Sequence, residues 1–228
     1  MLVKEWMATN PIVIDENTSI MKATQIMKEH GIRRIPVVRD GKLIGIISDR
    51  DIKEAAPSKA TSLDVHELYY LLSEIKVKDI MTPDPITLRE NDSVEKAAII
   101  MLENRISGIP IVDDDYKVVG VITQTDVFKV MISITGAYKS PIQIAFEIED
   151  SPGSLNALLN NIREQGGRIV SVLTSQENMP EGAREVYVRL MDMPDDALNK
   201  LVDYLKKEHK VLFVIKEDLS NIPRHKKR

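Results

Sequence analysis

Cysteine is absent from the 228 residues of the chain. Disulfides, thiolate-bound metals and cysteine nucleophiles are thereby excluded. No stretch approaches the ~18 consecutive apolar residues that cross a bilayer. The opening MLVKEWMATN has no apolar run of signal-peptide length. The expectation is a cytoplasmic protein with no membrane partner. A basic surplus is missing too. The formal net charge is −4, whereas nucleic-acid-binding surfaces are strongly basic. The tail RHKKR at 224–228 is a local exception and reads as a solvated end. With no helix-turn-helix visible, nucleic acid is not an expected partner. The short signatures of catalysis are also lacking: there is no Walker loop, no Gly-x-Ser-x-Gly elbow and no His-Glu-x-x-His. His30, His66, His209 and His225 are scattered without metal-ligand spacing and read as helix-end or surface residues. Asp113, Asp114 and Asp115 form an acidic run, but in a predicted hairpin turn, where acidic residues are common. A non-catalytic chain without metal or catalytic cofactor is expected.

What is present is ordinary in bulk and unusual in arrangement. Apolar residues make up 43% and charged ones 29%, the balance of a soluble globular protein. The arrangement is a repeat, which organises the first 135 residues. VKEWMATNPIVI (3–14) matches VKDIMTPDPITL (77–88), each with a methionine, Met7 or Met81, four residues before a proline, Pro11 or Pro85. GIRRIPVV (31–38) matches RISGIPIV (105–112), and GIISDRD (45–51) matches GVITQTD (120–126). In each copy a short apolar run follows the first proline and a helix follows that. Ile20, Ala23, Ile26 and Met27 keep helical spacing before Gly31, a C-cap glycine. Ser93 caps the second copy's helix, which carries Val94, Ala97, Ala98, Met101 and Leu102. IPVV and IPIV are strands, Asp40-Gly41 is a hairpin turn, and LIGIIS and VVGVIT are the returning strands. A further helix opens at Asp51 or Asp126. The unit is βαββα. Between the copies, TSLDVHELYYLLSEI (61–75) reads as a packing or dimer-forming helix.

The paired units resemble tandem CBS domains, the Bateman module. The Met-x-x-x-Pro starts, the Ile-Pro strands and the closing Gly-x-x-Ser/Thr-x-x-Asp carry the resemblance, over residues 1 to about 134.

The closing motif puts Ser48 or Thr123 at a strand end, with Asp51 or Asp126 three residues on. A carboxylate there can accept hydrogen bonds from both ribose hydroxyls. A hydroxyl beside a helix N-terminus suits a phosphate oxygen. Ile46 and Val121 can flank a purine ring. The same aspartates are also good helix caps, and the residues alone leave both roles open. The resemblance implies ribose binding at the aspartate and a phosphate tail at the segment before the Ile-Pro strand of the partner repeat. Arg33 and Arg34 stand there in the first repeat, a phosphate clamp if they are more than a solvated pair. Ser107 and Gly108 stand there in the second and offer no cation. Two clefts are therefore expected. One joins Asp126, Thr123 and Val121 with Arg33, Arg34 and Ile12, and favours a charged adenosine nucleotide. The other joins Asp51, Ser48 and Ile46 with Ile86, Ser107 and Gly108, and is empty or takes a less charged adenosine ligand. AMP, ADP, ATP and S-adenosylmethionine share the adenosine and are not ranked by the sequence, beyond the arginines' preference for phosphate.

After a turn-rich linker the pattern changes. IQIAFEI (142–148) alternates as a strand, SPGSLNALLNNIREQGG runs as a helix, RIVSVLTSQ and REVYVRLM are strands, DDALNKLVDYLKKEH is a helix and KVLFVIK a last strand. This βαββαβ order is the ferredoxin-like split. The turn EDSPGSL, with Asp150, Pro152, Gly153 and Leu155, resembles the Asp-x-Pro-Gly-x-Leu turn of ACT domains. That likeness implies a regulatory module, holding an amino-acid-like effector at the turn or serving for dimerisation alone.

The expected class is α/β (α+β): two βαββα CBS units packed as a pseudo-symmetric pair, followed by a ferredoxin-like ACT domain. The expected segments are 1–60, a connecting helix 61–76, 77–134, a linker 135–141, 142–216 and a basic tail 217–228. The combination, with SDRDIKEAAPS and the ITGA linker, resembles the bacterial acetoin-utilisation proteins of the AcuB family. It implies a homodimeric regulator of an unknown protein in acetoin- or acetate-related metabolism. The alternative is a dimeric scaffold with vestigial clefts.

Overall fold

The computed structural model describes residues 1–55, 70, 72–177, 179–219, 222 and 223. Most of the expected connecting helix and the basic run 224–228 lie outside them. The chain divides into two compact units, Met1–Phe128 and Lys129–Arg228.

In the first unit the repeat is realised twice. The first copy contains β1 (Ala8–Thr9), β2 (Ile14–Asp15), α1 (Ile20–His30), β3 (Arg34–Arg39), β4 (Lys42–Ser48) and α2 (Asp49–Ala55). The second contains β5 (Thr82–Pro83), α3 (Val94–Glu103), β6 (Gly108–Val112), β7 (Val118–Thr123) and α4 (Gln124–Thr135). Local chemistry accounts for the boundaries. Ser19 and Ser93 accept the N–H groups of Lys22 and Lys96 at 3.2 and 3.1 Å, satisfying donors that the first helical turn leaves unpaired. Gly31 ends α1 at φ +63°, and Ile32 N–H reaches back to the Met27 carbonyl at 3.0 Å, a Schellman closure. In α3 the same closure, Ile106 N–H to Met101 O at 3.1 Å, runs through Arg105 at φ +54°. A residue with a Cβ occupies the left-handed region there. Asp40 and Gly41, at φ +50° and +77°, make the two-residue hairpin turn between β3 and β4.

The repeats exchange strands. β1 of the first pairs with β7 of the second, with Thr9 opposite Gly120, and β5 of the second pairs with β4 of the first, with Pro83 opposite Gly45. The sheets accordingly read β1-β7-β6 and β2-β3-β4-β5. This explains the Met-x-x-x-Pro starts. Met7 packs on Gly120 and Met81 on Gly45, and a Cβ on either glycine would collide with the methionine sulfur. Each repeat thus supplies the knob for the other's hole. The short strands β1 and β5 add to the expected βαββα unit; two residues of edge pairing leave too short a pattern for periodicity to reveal. Ile14, Ala23, Met27, Ile35, Val37, Ile47 and Val77 form a buried cluster beneath the first repeat.

The second unit follows the ferredoxin-like order: β8 (Ile142–Glu149), α5 (Ser154–Glu164), β9 (Ile169–Ser175), β10 (Ala183–Leu190), α6 (Asp195–Glu208) and β11 (Lys210–Lys216). Its antiparallel sheet is ordered β11-β8-β10-β9. The alternate residues Ile142, Ile144, Phe146 and Ile148 of β8 and Val186, Val188 and Leu190 of β10 face Leu158 and Ile162 of α5 and Leu198, Leu201, Val202 and Leu205 of α6. Burying each such side chain contributes about 1.5–3 kcal/mol. The expected linker at 135–141 runs from the last residue of α4, Thr135, to the start of β8 at Ile142, and Gly136 at φ +67° closes the helix.

Candidate functional site

The closing motif behaves differently from the expectation that a helix opens at its aspartate. α2 begins at Asp49 and α4 at Gln124, so Ser48 and Thr123 are the caps and the aspartates stand in the first turn. Asp126 Oδ2 accepts the Thr123 N–H at 3.0 Å and its hydroxyl at 2.7 Å. Asp51 Oδ2 accepts the Ser48 N–H at 2.7 Å and hydroxyl at 2.8 Å, and the Asp51 N–H reaches Ser48 Oγ at 3.4 Å. Ser48 and Asp51 thus make both halves of a capping box, and Asp126 makes the aspartate's half at Thr123. The consequence is chemical: each hydroxyl proton is committed to the carboxylate, so Thr123 and Ser48 meet a ligand as acceptors. Asp126 is buried, at 8% exposure.

A cleft of about 710 Å³ opens beside Thr123, within the range of small-molecule sites. Ile12, Arg33, Arg34, Val121 and Thr123 all line it, joined by Thr9, Asn10 and Pro11, by His30 from the end of α1, and by Gln124 and Thr125 from the start of α4. Asp126 stands behind Thr123 and is not among the lining residues. Strand exchange creates the convergence, since β1 carries the segment before Ile12 onto the edge of β7. Sequence reasoning missed Asn10, which takes φ +51° before Pro11. The signal was the repeated Asn-Pro and Asp-Pro pair. It also placed His30 merely at a helix end, whereas α1 sets that end against the cleft wall.

The residues assigned to the second cleft are not held apart from the first. Ile46 lies opposite Thr82, Ile86 is exposed, and Ser48 lies opposite Arg34 across the β3–β4 ladder. Ser107, however, lines the Thr123 cleft, and Gly108 lies opposite Thr123. Arg34 joins the two sets. Its Nη1 donates to the Ser107 carbonyl and its Nη2 to the Ser107 hydroxyl. Burial lowers the pKa of Arg34; nearby Asp49 opposes the shift and Arg33 adds to it. The group stays a guanidinium throughout the physiological range. Asp49 is held below the usual carboxylate range, first by the Lys53 ammonium at 2.9 Å, against burial, with Arg33 and Arg34 assisting.

The other candidates resolve more simply. Asp113 accepts the Lys117 N–H at 2.8 Å in the turn before β7, and no group of three or more His, Asp or Glu suited to a metal occurs among the described residues. At the turn before α5, Asp150 takes Arg184 on Oδ1 and Gln176 on Oδ2. Gly153 is at φ +95°, Pro152 is exposed, and Leu155 packs on the core. The aspartate of that turn is tied to its own domain. No helix among the described residues is long and apolar enough to cross a membrane.

Comparison with known proteins bears on this architecture. The CBS domain model matches residues 3–58 and 77–133. A CBS domain-containing protein of Dictyostelium discoideum is 31% identical over 134 residues, which are 58% of this chain and 92% of the relative. The chain belongs to the CBS domain family. The L-aspartate semialdehyde sulfurtransferase of Methanocaldococcus jannaschii is 38% identical over 55% of this chain but only 22% of its own length. The next two curated relatives are likewise matched over 46% and 25% of their lengths. The CBS pair also has the fold of the solved CBS-pair protein CBSX2 from Arabidopsis thaliana, at 27% identity and a TM-score of 0.50, covering 59% of this chain and 96% of that one. A further CBSX2 structure, in complex with AMP, is 31% identical at a TM-score of 0.48, covering 58% and 97%.

Proposed function

We propose that the chain is a non-catalytic regulator that senses an adenosine nucleotide, AMP, ADP or ATP, in the cleft between its CBS repeats. The observation that carries this reading is the convergence of a strand-end hydroxyl, apolar walls and two arginines around about 710 Å³. Val121 and Ile12 offer apolar surface to a purine, Thr123 with Asp126 behind it offers acceptors to a ribose, and Arg33 and Arg34 offer charge-assisted donors to phosphate. S-adenosylmethionine would satisfy the first two contacts without the third. In this reading the ferredoxin-like unit is an ACT-type partner module that relays or combines a second, amino-acid-like signal at the turn around Gly153. The setting is cytoplasmic acetoin- or acetate-related metabolism, supported by the resemblance of the repeat–ferredoxin order and of SDRDIKEAAPS to the AcuB family. A homodimer acting on a separate target protein completes it. Exposed Ile99 and Leu102 on α3 and Phe128 on α4 support a self-contact, because the first repeat has Gln25, Lys28 and Lys53 at the same places.

Calorimetric titration with adenosine, AMP, ADP, ATP and S-adenosylmethionine tests the reading. Asp126→Ala, checked for folding by circular dichroism, should weaken the whole panel. Arg34→Ala should weaken the phosphorylated ligands about tenfold or more and spare the others. Heat-free titrations across the panel would remove the sensor. They would leave a second reading, a dimeric scaffold with vestigial clefts in which Asp51 and Asp126 serve only to fasten the helix starts; their hold on the N–H and hydroxyl of Ser48 and Thr123 is the observation in its favour.

A further inference from the structure

Positions 34 and 108 are equivalent in the two repeats, yet one is arginine and the other glycine. The structure gives that asymmetry a spatial meaning. A Cβ on Gly108 would fall on Arg34 Nη1 and close to Cδ and Cζ. The guanidinium of one repeat therefore fills the space that a side chain of the other would need. The seat holds the cation with neutral oxygens. Both terminal nitrogens, the edge that grips a phosphate in parallel hydrogen bonds, are turned onto the carbonyl and hydroxyl of Ser107. That carbonyl has a second donor, the Gln124 N–H at 3.2 Å, so it is not orphaned when Arg34 departs. Among the described residues no ion pair within 4.0 Å includes Arg34. The nearby acid Asp49 meets that charge only from farther off and has Lys53 as its own partner at 2.9 Å.

We propose that Ser107 is an internal competitor for the phosphate of the ligand: a bound phosphate takes Arg34 from Ser107 and so breaks this side-chain tie between the repeats, leaving the exchanged strands in place. The proposal rests on the nucleotide reading of the same cleft and adds the step by which occupancy alters the protein. It explains why the second repeat carries Ser-Gly where the first carries Arg-Arg. Glycine makes the seat and serine holds the occupant. Adenosine, having no phosphate, should fill the apolar and ribose parts of the cleft and leave the tie intact. The state of the tie thus reads the ligand's charge, not its presence.

The test is the ratio of AMP to adenosine affinity, measured by calorimetry on the full chain. Ser107→Ala removes one acceptor from the seat. Gly108→Ala places a methyl group where the guanidinium lies. Each should raise the AMP preference about tenfold or more, the worth of one hydrogen bond to a charged group. In an Arg34→Ala background, Ser107→Ala should leave the ratio where Arg34→Ala alone sets it. An unchanged or reduced AMP preference in Ser107→Ala, with wild-type protein binding AMP, overturns the competition and makes Ser107 a support for Arg34 instead. So does a Ser107→Ala effect that persists without Arg34. Wild-type protein that binds neither ligand overturns the nucleotide reading, and the competitor with it.

Discussion

The strand exchange yields a sharp prediction at Gly120. Thr9 of β1 lies opposite this glycine. A Cβ there would strike the Met7 sulfur and stand 3.0 Å from Met7 Cγ and 3.1 Å from the Ala8 carbonyl oxygen. At the pseudo-equivalent Gly45 the three nearest atoms all belong to Met81, with Cγ at 3.0 Å and Cε at 3.1 Å. A thioether can swing aside, but a carbonyl in a paired strand cannot without giving up the ladder. Overpacking costs about 1–3 kcal/mol. Gly120→Ala should fall near the upper end, about 2–3 kcal/mol, and Gly45→Ala near about 1 kcal/mol. Truncating Met7 should relieve part of the collision. Met7→Ala should therefore cost at least about 1 kcal/mol less in the Gly120→Ala background than alone, within the range of coupled neighbours. The chain offers its own probe, because its single tryptophan is Trp6, next to Met7. Urea unfolding followed by tryptophan emission reports on the exchanged strand and not on the ferredoxin-like unit. Equal losses at the two glycines, or costs that simply add for Met7 and Gly120, would refute the interlock.

Three further outcomes follow from single residues. Arg105 holds φ +54° where its counterpart is Gly31, so Arg105→Gly should raise the same unfolding midpoint by the equivalent of about 0.5–1 kcal/mol; a lowered midpoint would mean that the side chain contributes more than its backbone costs. Phe146 is fully buried in the ferredoxin-like core, and Phe146→Ala should destabilise that unit by about 3–5 kcal/mol, seen by circular dichroism as a separate early transition; a single unshifted transition would contradict it. His209 lies edge-on to Phe146 and contacts Asn161 Nδ2 at 2.9 Å, and burial lowers its pKa below the ordinary 6.5, with Glu208 opposing. Its folded pKa is depressed, so the neutral ring's contribution is full above about 6.5 and declines as pH falls toward the folded value, where the unfolded state takes up the proton first. Thermal unfolding between pH 7.5 and 5 should show that decline, and His209→Gln should flatten it; an unchanged slope would clear His209 of the effect.

Much of this molecule is legible in its sequence. Serine caps, the Asp-Gly turn and alternating apolar residues are local signals, and the helices, hairpins and ferredoxin-like order follow them. Two things were not local. The exchange of β1 and β5 involves two residues each, with no period to detect; its trace was the Met-x-x-x-Pro recurrence, visible as pattern but mute about partners. The grouping of site residues also depended on it. Ser107 and Arg34 are 73 positions apart, and assigning each arginine or serine to its own cleft presumed two independent sites. Their meeting is a property of the pseudo-twofold packing, which no single copy encodes. The helix starts near Asp51 and Asp126 were half read: the spacing signalled them, but the helices begin two residues earlier, at Asp49 and Gln124, and each aspartate holds the N–H and hydroxyl of Ser48 or Thr123.

Because each half lends its neighbour an outer strand, neither owns a finished sheet. The pair is in effect a dimer whose two copies share one covalent thread, and it can be transplanted into another protein only whole. A graft boundary placed between the copies would leave two raw hydrogen-bonding margins. Such a half, produced alone, should recover its missing margin by finding its own kind, and its mass in solution should be twice that of the fragment.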